Sequence, residues 1–189
     1  MKRLHHAHAH GNEPAEKPLV LSVCRHGVSD SWATKQLLEG HLETAKNFDI
    51  LARGVDPAGI KETAEGTRGI ELSIDEIKRA VLLLIHDSNV HFLRERFGTE
   101  LVNALESEGY LLIRNGRECQ HVTKNTGSPH RFIADCCKTF VESLKLSLRR
   151  RPASEMHGSE AFVRAERADE RWHTEKDAKK NHKKKFKRH

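Results

Sequence analysis

A change in apolar periodicity at Gly109 is the sequence feature that most constrains the fold. Before it, apolar residues recur every three or four positions, which predicts a helix that ends at this glycine. After it, residues 110–113 read Tyr-Leu-Leu-Ile, and Asn115-Gly116 is a typical hairpin turn before a second β-like run. We therefore predict a helix followed by an antiparallel hairpin, with a short third strand, at about 110–133.

The rest of the chain carries mainly helical patterns. A capping box of Ser73 and Glu76 precedes apolar residues at helical spacing, which predicts a helix that runs to about Ile85. A short β-like run at 19–24 is followed by a predicted amphipathic helix at 31–51. The expected fold class is α+β, mainly helical, with a small antiparallel hairpin or three-stranded sheet.

Composition divides the chain into a folded body and two polar tails. The 189 residues are 37% apolar and 32% charged, which suits one domain that does not use the whole length. We predict a disordered His-rich tail at 1–17, a helical α+β domain at 18–148 and a basic, partly helical or disordered tail at 149–189. No apolar run is long enough to cross a bilayer, and no signal-peptide core is recognisable, so we expect a cytoplasmic protein without membrane contacts.

Neither the cysteines nor the histidines predict a metal site or a cofactor. The four cysteines, at positions 24, 119, 136 and 137, form no C-x-x-C pair, so reduced thiols are expected. His6, His8 and His10 would share one face of an extended segment and are suitable ligands, but no strand scaffold supports them. We therefore expect no cofactor and no specific metal site.

The stretch Cys24-Arg25-His26-Gly27, directly after the first β-like run, suggests a catalytic alternative. It resembles the Arg-His-Gly turn of the histidine phosphatases, in which the His takes a phosphoryl group. His86, in the stretch LLLIHDSN, resembles the later His-Asp element of that family. The resemblance implies a divergent histidine phosphatase that uses Arg25, His26 and His86.

The spacing of the two histidines argues against this alternative. Only 60 positions separate His26 from His86. A helix and a glycine-rich loop are predicted between them, in place of the strands of a parallel sheet. Val28 stands where the family has a polar or charged residue, and nothing positions Arg53 or Arg68 as a phosphate ligand.

A helix that leads into a hairpin is also the pattern of a known segment. Twelve positions carry it: Phe97, Ala104, Leu105, Gly109, Tyr110, Leu112, Gly116, Arg117, Val122, Gly127, Phe132 and Ile133. With them, residues 80–135 resemble a segment downstream of the nicking domain in conjugative relaxases, the plasmid mobilisation nucleases. The resemblance implies a relaxase-related accessory protein, with DNA and mobilisation-complex proteins as partners.

The residues that a relaxase needs for nicking are not recognisable here. That reaction uses a tyrosine nucleophile and a metal held by three histidines, and the single tyrosine, Tyr110, begins a predicted core strand. A role in DNA binding without nicking, and without another enzymatic activity, is therefore favoured. A protein-interaction module with a basic tail remains a further alternative.

Basic residues at the hairpin and in the tail are the candidate nucleic-acid contacts. The last 45 residues carry 15 Lys and Arg against 7 Asp and Glu, whereas the rest is nearly neutral. Such runs bind DNA or other polyanions through phosphate contacts and counterion release. The candidates are Arg114, Arg117, Lys124 and Arg131 at the hairpin, Arg149, Arg150 and Arg151 after the body, and Lys183, Lys184, Lys185, Lys187 and Arg188 at the end.

Overall fold

Four parallel strands form the centre of the fold. The computed structural model describes residues 16–28, 30–40, 46–56, 69–114, 150–156 and 159–186. The sheet order is β2-β1-β3-β4, with β1 at Leu19–Cys24, β2 at Asp49–Gly54, β3 at Ala80–His86 and β4 at Leu111–Arg114. The helices of the described residues are α1 (Asp30–Gly40), α2 (Ile74–Arg79), α3 (Asp87–Phe97), α4 (Thr99–Ser107) and α5 (Ser159–Phe186), with a 3₁₀ turn at Ala153–Glu155.

The prediction of an α+β fold with an antiparallel hairpin is wrong. β4 pairs in parallel with β3, so that Leu83 lies opposite Leu111 and Ile85 opposite Ile113. The predicted second and third strands lie outside the described residues. The apolar run identified β4 as a strand, but its partner lies before two helices, and local pattern carries no signal for such a distant pairing.

The helix that begins after Ser73 is shorter than predicted. The capping box itself is confirmed, because the Glu76 N–H donates to Ser73 Oγ and the Ser73 N–H to Glu76 Oε2, both at 3.1 Å. The helix ends at Arg79, however, and the apolar run from Ala80 forms β3. A continuous apolar run fits a central strand of a parallel sheet, which is buried on both faces.

The single helix predicted at 31–51 spans parts of two elements. α1 ends at Gly40, and β2 begins at Asp49. β2 pairs in parallel with β1, from Leu19 opposite Asp49 to Cys24 opposite Gly54. A short apolar stretch such as 50–52 fits the period of a helix as well as that of a strand. Pairing in the sheet, and not the local sequence, therefore decides that it is a strand.

Side chains of the central strands alternate between two apolar layers. One layer joins Leu21 and Leu83 to residues of the helices α2 to α5, among them Phe97 and Phe162. The helix α1 packs on β1 and β2, and its Leu38 is fully buried. The sulfur of Cys24 points toward α1, where it meets Ser31.

The helix α5 is docked on the body through its first two thirds. It packs against α2, α3 and α4, and its residues Phe162 and Ala165 are buried. Residues 177–183, in contrast, are all exposed. Among the described residues, no helix combines the length and apolar character that a bilayer span needs.

Candidate functional site

The strand order creates a switch point at the carboxyl edge of the sheet, between β1 and β3. From β1 the chain crosses to β2 on one side, whereas from β3 it crosses to β4 on the other. Open α/β sheets bind their ligands in the crevice outside the carboxyl ends of the strands at such a point. The residues that follow β1 and β3 are therefore the first candidates for function.

Cys24 ends β1 and lies at the base of this edge. Its thiol is reduced and buried, with a residue exposure of 1%. The Gly27 N–H donates to Sγ at 3.1 Å, and the Ser31 hydroxyl lies 3.1 Å from Sγ in the first turn of α1. The Gly27 N–H and the N-terminus of α1 both favour negative charge on sulfur, whereas burial opposes it.

The loop after Cys24 is held by its neighbours on both sides. The Arg25 N–H donates to Oδ1 of Asn89, a buried residue in the first turn of α3, at 3.1 Å. On the other side, the Val55 N–H donates to the Cys24 carbonyl at 3.0 Å and the Asp56 N–H to the Arg25 carbonyl at 2.8 Å. These bonds fix the backbone around the sulfur, which is the preorganisation that a binding site requires.

Two glycines allow this loop to pass close to the end of β2. Gly27 has φ +81°, and a Cβ there would lie 2.7 Å from the Gly54 nitrogen. A Cβ on Gly54 would in turn lie 2.5 Å from the His26 carbonyl carbon. Neither position has room for a side chain, so both glycines are needed for the loop to keep this path.

One arginine and two histidines lie at the same edge. Arg25 is exposed and its guanidinium carbon lies 4.7 Å from the centre of the Phe92 ring. Among the described residues, Arg25 makes no ion pair and the His26 ring makes no hydrogen bond. His86, at the end of β3, lies at the adjacent strand end. We call Cys24–Gly27, His86 and Asn89 the switch-point site.

The structure bears on the phosphatase alternative through the positions of its two histidines and of Arg53. His26 and His86 follow adjacent parallel strands, and β2 lies between them in the chain, so the expectation that no parallel strand separates them is wrong. The structure records no contact between the two rings. Arg53 is occupied by Glu76, whose Oε1 lies 2.7 Å from both Nε and Nη2, and Arg68 lies outside the described residues.

The predicted nucleic-acid contacts divide into three groups. Arg114 ends β4, and the strand register sets it opposite His86 at the carboxyl edge. Arg150 bonds to the Gly109 carbonyl and stacks 5.6 Å from the Tyr110 ring, while Arg151 pairs with Glu155 at 3.1 Å. Arg150 therefore contacts the body, whereas Arg151 makes an exposed pair within its own segment.

The remaining predicted contacts belong to the end of α5 or lie outside the described residues. Lys183 is exposed near the end of this helix, and Lys184 and Lys185 belong to its last turn. Outside the described residues lie Arg117, Lys124, Arg131, Arg149, Lys187 and Arg188. His6, His8 and His10 also lie outside them, and within the described ranges no group of three or more His, Cys, Asp or Glu side chains is arranged to hold a metal.

Sequence reasoning missed the thiol and its partners as parts of a site. Cys24 was interpreted as one of four reduced thiols, and neither Ser31 nor Asn89 was given a role. A usable signal is present, because Cys24 ends an apolar run and precedes a glycine turn and a helix start. That signal acquires meaning only once β1 is known to border the switch point.

The fold and this edge define an open parallel α/β domain with a candidate ligand site at its switch point. No family model, no curated protein and no solved structure matches the chain. The relaxase and histidine-phosphatase resemblances therefore stay predictions.

Proposed function

We propose that the protein binds a phosphate-type oxyanion at the switch-point site and that Cys24 is the reactive group of that site. The observation that carries the proposal is the position of the thiol, at the end of β1 beside the switch point. The thiol lies where the topology opens a crevice, and its loop is held by α3 and by the end of β2.

The charges around the crevice support an anionic ligand. Arg25 supplies a guanidinium, which binds phosphate oxygens in a bidentate manner, and it has no carboxylate partner among the described residues. His26 adds a second group that is cationic when protonated. The carboxylate of Asp30, in the first turn of α1, opposes an anion at that helix end, so the ligand's charge should face Arg25.

A cysteine in this position supports phosphoryl transfer through a covalent intermediate. Attack of the thiolate on phosphorus forms an S–P bond while the ester P–O bond breaks. The departing oxygen takes a proton from an imidazolium at the same edge, His26 or His86. The imidazole then takes a proton from water as the water attacks phosphorus and the S–P bond breaks, which releases inorganic phosphate and restores both the thiolate and the imidazolium. Because Cys24 is 1% exposed, the attack requires the loop to uncover Sγ when the ligand binds.

Two measurements on the same set of variants test the proposal. A ligand that binds only the native state raises the midpoint of thermal unfolding, so phosphate and vanadate should raise Tm of the wild type. Arg25→Gln should abolish this rise, whereas Arg94→Gln, which removes an exposed arginine of α3, should leave it intact. Hydrolysis of a small aryl phosphate should be lost in Cys24→Ser.

The outcomes separate the possible nucleophiles. Turnover that survives Cys24→Ser but disappears in both His26→Ala and His86→Ala would assign the reaction to the histidine alternative. Absence of both the Tm rise and the turnover in a folded wild type would overturn the proposal.

Polyanion binding by the end of α5 is the second candidate function. The observation that favours this function is that every residue at 177–183 is exposed. The slightly longer range 176–186 holds six lysines and one aspartate. A solvated basic helix of this kind binds nucleic acid through phosphate contacts with little sequence preference. According to the relaxase resemblance, the polyanion would be DNA and the protein partners would be mobilisation proteins.

The salt dependence of DNA binding tests this second candidate. Lys179→Gln, Lys180→Gln and Lys183→Gln together should reduce the slope of log K against log salt on duplex DNA by about 0.9 per lost phosphate contact. Arg167→Gln with Arg171→Gln, on exposed positions of the docked part of α5, is the matched control for the pair Lys180→Gln with Lys183→Gln. An unchanged slope in the triple variant would remove α5 from DNA binding.

A further inference from the structure

We infer that the switch-point site takes a phosphate at the end of a nucleic-acid strand, and that the end of α5 binds the strand that carries it. This inference rests on the proposed function of the switch-point site. The switch-point site alone suggests only an anionic ligand, and the end of α5 alone suggests only a polyanion. The structure connects the two through a short series of contacts.

The contacts run from Lys176 to the loop that follows β1. Lys176 Nζ lies 2.5 Å from Asp56 Oδ1. The backbone N–H of the same Asp56 donates to the Arg25 carbonyl at 2.8 Å. One residue, Asp56, therefore links the start of the lysine-rich segment of α5 to Arg25.

The point at which α5 leaves the body is firmly anchored. Lys176 Nζ also lies 3.9 Å from the centre of the Trp172 ring, which stacks in turn on the buried guanidinium of Arg96 at 4.6 Å. Asp169 pairs with Arg96 at 2.6 Å one turn earlier. A helix held at 169–176 gives the following residues a fixed starting point relative to the site, which a flexible tail would not provide.

The segment beyond the anchor presents a row of cations. Lys180 and Lys183 lie on the same helix face as the anchoring Lys176, since the three are spaced by four and three residues. Lys180 lies 3.7 Å from Asp177, an exposed pair that contributes little. From Lys176 to Phe186 the helix rises roughly 15 Å, at about 1.5 Å per residue.

A strand of nucleic acid fits this arrangement better than a single phosphate. Its charges recur at a regular interval, as the lysines do, whereas a small phosphorylated molecule leaves the row unused. A terminal phosphate is a monoester, the group that thiolate attack at Cys24 would release, and the internal diesters would lie along α5. The backbone position of Arg114, opposite His86, adds a cationic residue to the same edge.

The test compares four probes on the full chain by fluorescence anisotropy. The probes are a single-stranded oligonucleotide of about ten residues with a 5′-phosphate, the same strand without it, a nucleoside 5′-monophosphate used as competitor, and an acidic phosphopeptide of equal net charge. The phosphorylated strand should bind about tenfold or more tightly than either the unphosphorylated strand or the mononucleotide, because the two contacts are then linked.

Variants assign that gain to α5. Lys180→Gln with Lys183→Gln should lower the ratio of strand to mononucleotide affinity and reduce the salt slope by about 1.4, at about 0.7 per contact on a single strand. Arg167→Gln with Arg171→Gln, matched in charge on the same helix, should leave both unchanged. Cys24→Ser should retain strand binding but release no phosphate.

Each contrary result has a distinct meaning. If the mononucleotide binds as tightly as the phosphorylated strand with the same salt slope, the inference is wrong while the proposed function stands. Tighter binding of the phosphopeptide would replace nucleic acid by an acidic protein. Binding of none of the probes would overturn this inference, and the proposed function would then be decided by the Tm rise with phosphate and vanadate.

Discussion

Replacement of the buried Arg96 by alanine should strongly destabilise the fold, because this side chain joins three parts of the chain. It is 2% exposed and lies near the end of α3. Its Nε donates to Asp169 of α5 at 2.6 Å, and its Nη1 donates to the Val55 carbonyl at 2.7 Å. Nη1 also lies 2.9 Å from Glu71 Oε1.

The expected loss follows from what the alanine leaves behind. The Val55 carbonyl loses a buried donor, which costs about 1–3 kcal/mol, and removing one partner of a buried ion pair costs about 3–5 kcal/mol. These two figures describe overlapping losses and do not add. Asp169 and Glu71 are 16% and 40% exposed in their side chains, so water can partly replace the guanidinium. We therefore expect Arg96→Ala to lower the free energy of unfolding by about 3 kcal/mol, the low end of that range.

Urea unfolding followed by circular dichroism measures this change. Arg94→Ala is the matched control, since this arginine lies on the same helix, is exposed, and has no side-chain partner among the described residues. It should change the free energy of unfolding by no more than about 0.5 kcal/mol. If Arg96→Ala costs less than about 1 kcal/mol, or no more than the control, the network does not hold α5 to the body.

Further predictions concern the loop, a cap and an ion pair. Gly27→Ala should cost more than about 2 kcal/mol and abolish oxyanion binding, because a Cβ would lie 2.7 Å from the Gly54 nitrogen at φ +81°. Gly98→Ala, at φ +88° with no atom within 4 Å of its Cβ, should cost only about 1–2 kcal/mol in chemical unfolding, and equal costs would contradict the close approach. Ser73→Ala should cost about 1 kcal/mol by loss of the capping box, measured in the same way, and no loss would show that Glu76 alone holds α2. The hydrogen bond to Glu166, assisted by the charges of Glu166 and Asp75 and opposed by burial, raises the pKa of Lys78 above its usual 10.5. The stabilisation by Lys78 is thus present below pH 10.5 and lost as pH rises through the raised pKa. The Tm advantage of the wild type over Lys78→Met should be constant below that pH and shrink above it, and an advantage that shrinks at lower pH would contradict the pair.

Local signals were sufficient for several elements. The run at 19–24, the capping box at Ser73 and the stop at Gly109 were predicted from residue type and spacing, and the structure confirms them. The capping box and the glycine stop depend on neighbours within about four residues: a side chain that caps its own helix, and a glycine with positive φ. Gly109, for example, has φ +74°, and the Tyr110 N–H donates to the Leu105 carbonyl at 2.7 Å.

The candidate site could be predicted only in fragments. Arg25, His26 and His86 were singled out, but their relation depended on the expected absence of parallel strands between them, which is wrong. Cys24 carried no catalytic signal on its own, because an isolated buried thiol is usually structural. Its importance arises from Ser31, Gly27 and Asn89, of which Asn89 is 65 positions away in the chain.

The sequence by itself determined the helix start at Ser73, the helix stop at Gly109, the apolar runs, and where the basic charge lies. The tertiary structure alone decided that the run at 80–85 is a strand, that β4 pairs in parallel with it, and that the loop after β1 meets the first turn of α3 at one edge. The physical reason is that a strand's hydrogen bonds are made to another segment. A helix satisfies its backbone within four residues, whereas β3 satisfies its own on β1 and β4, so its state depends on partners that local pattern does not specify.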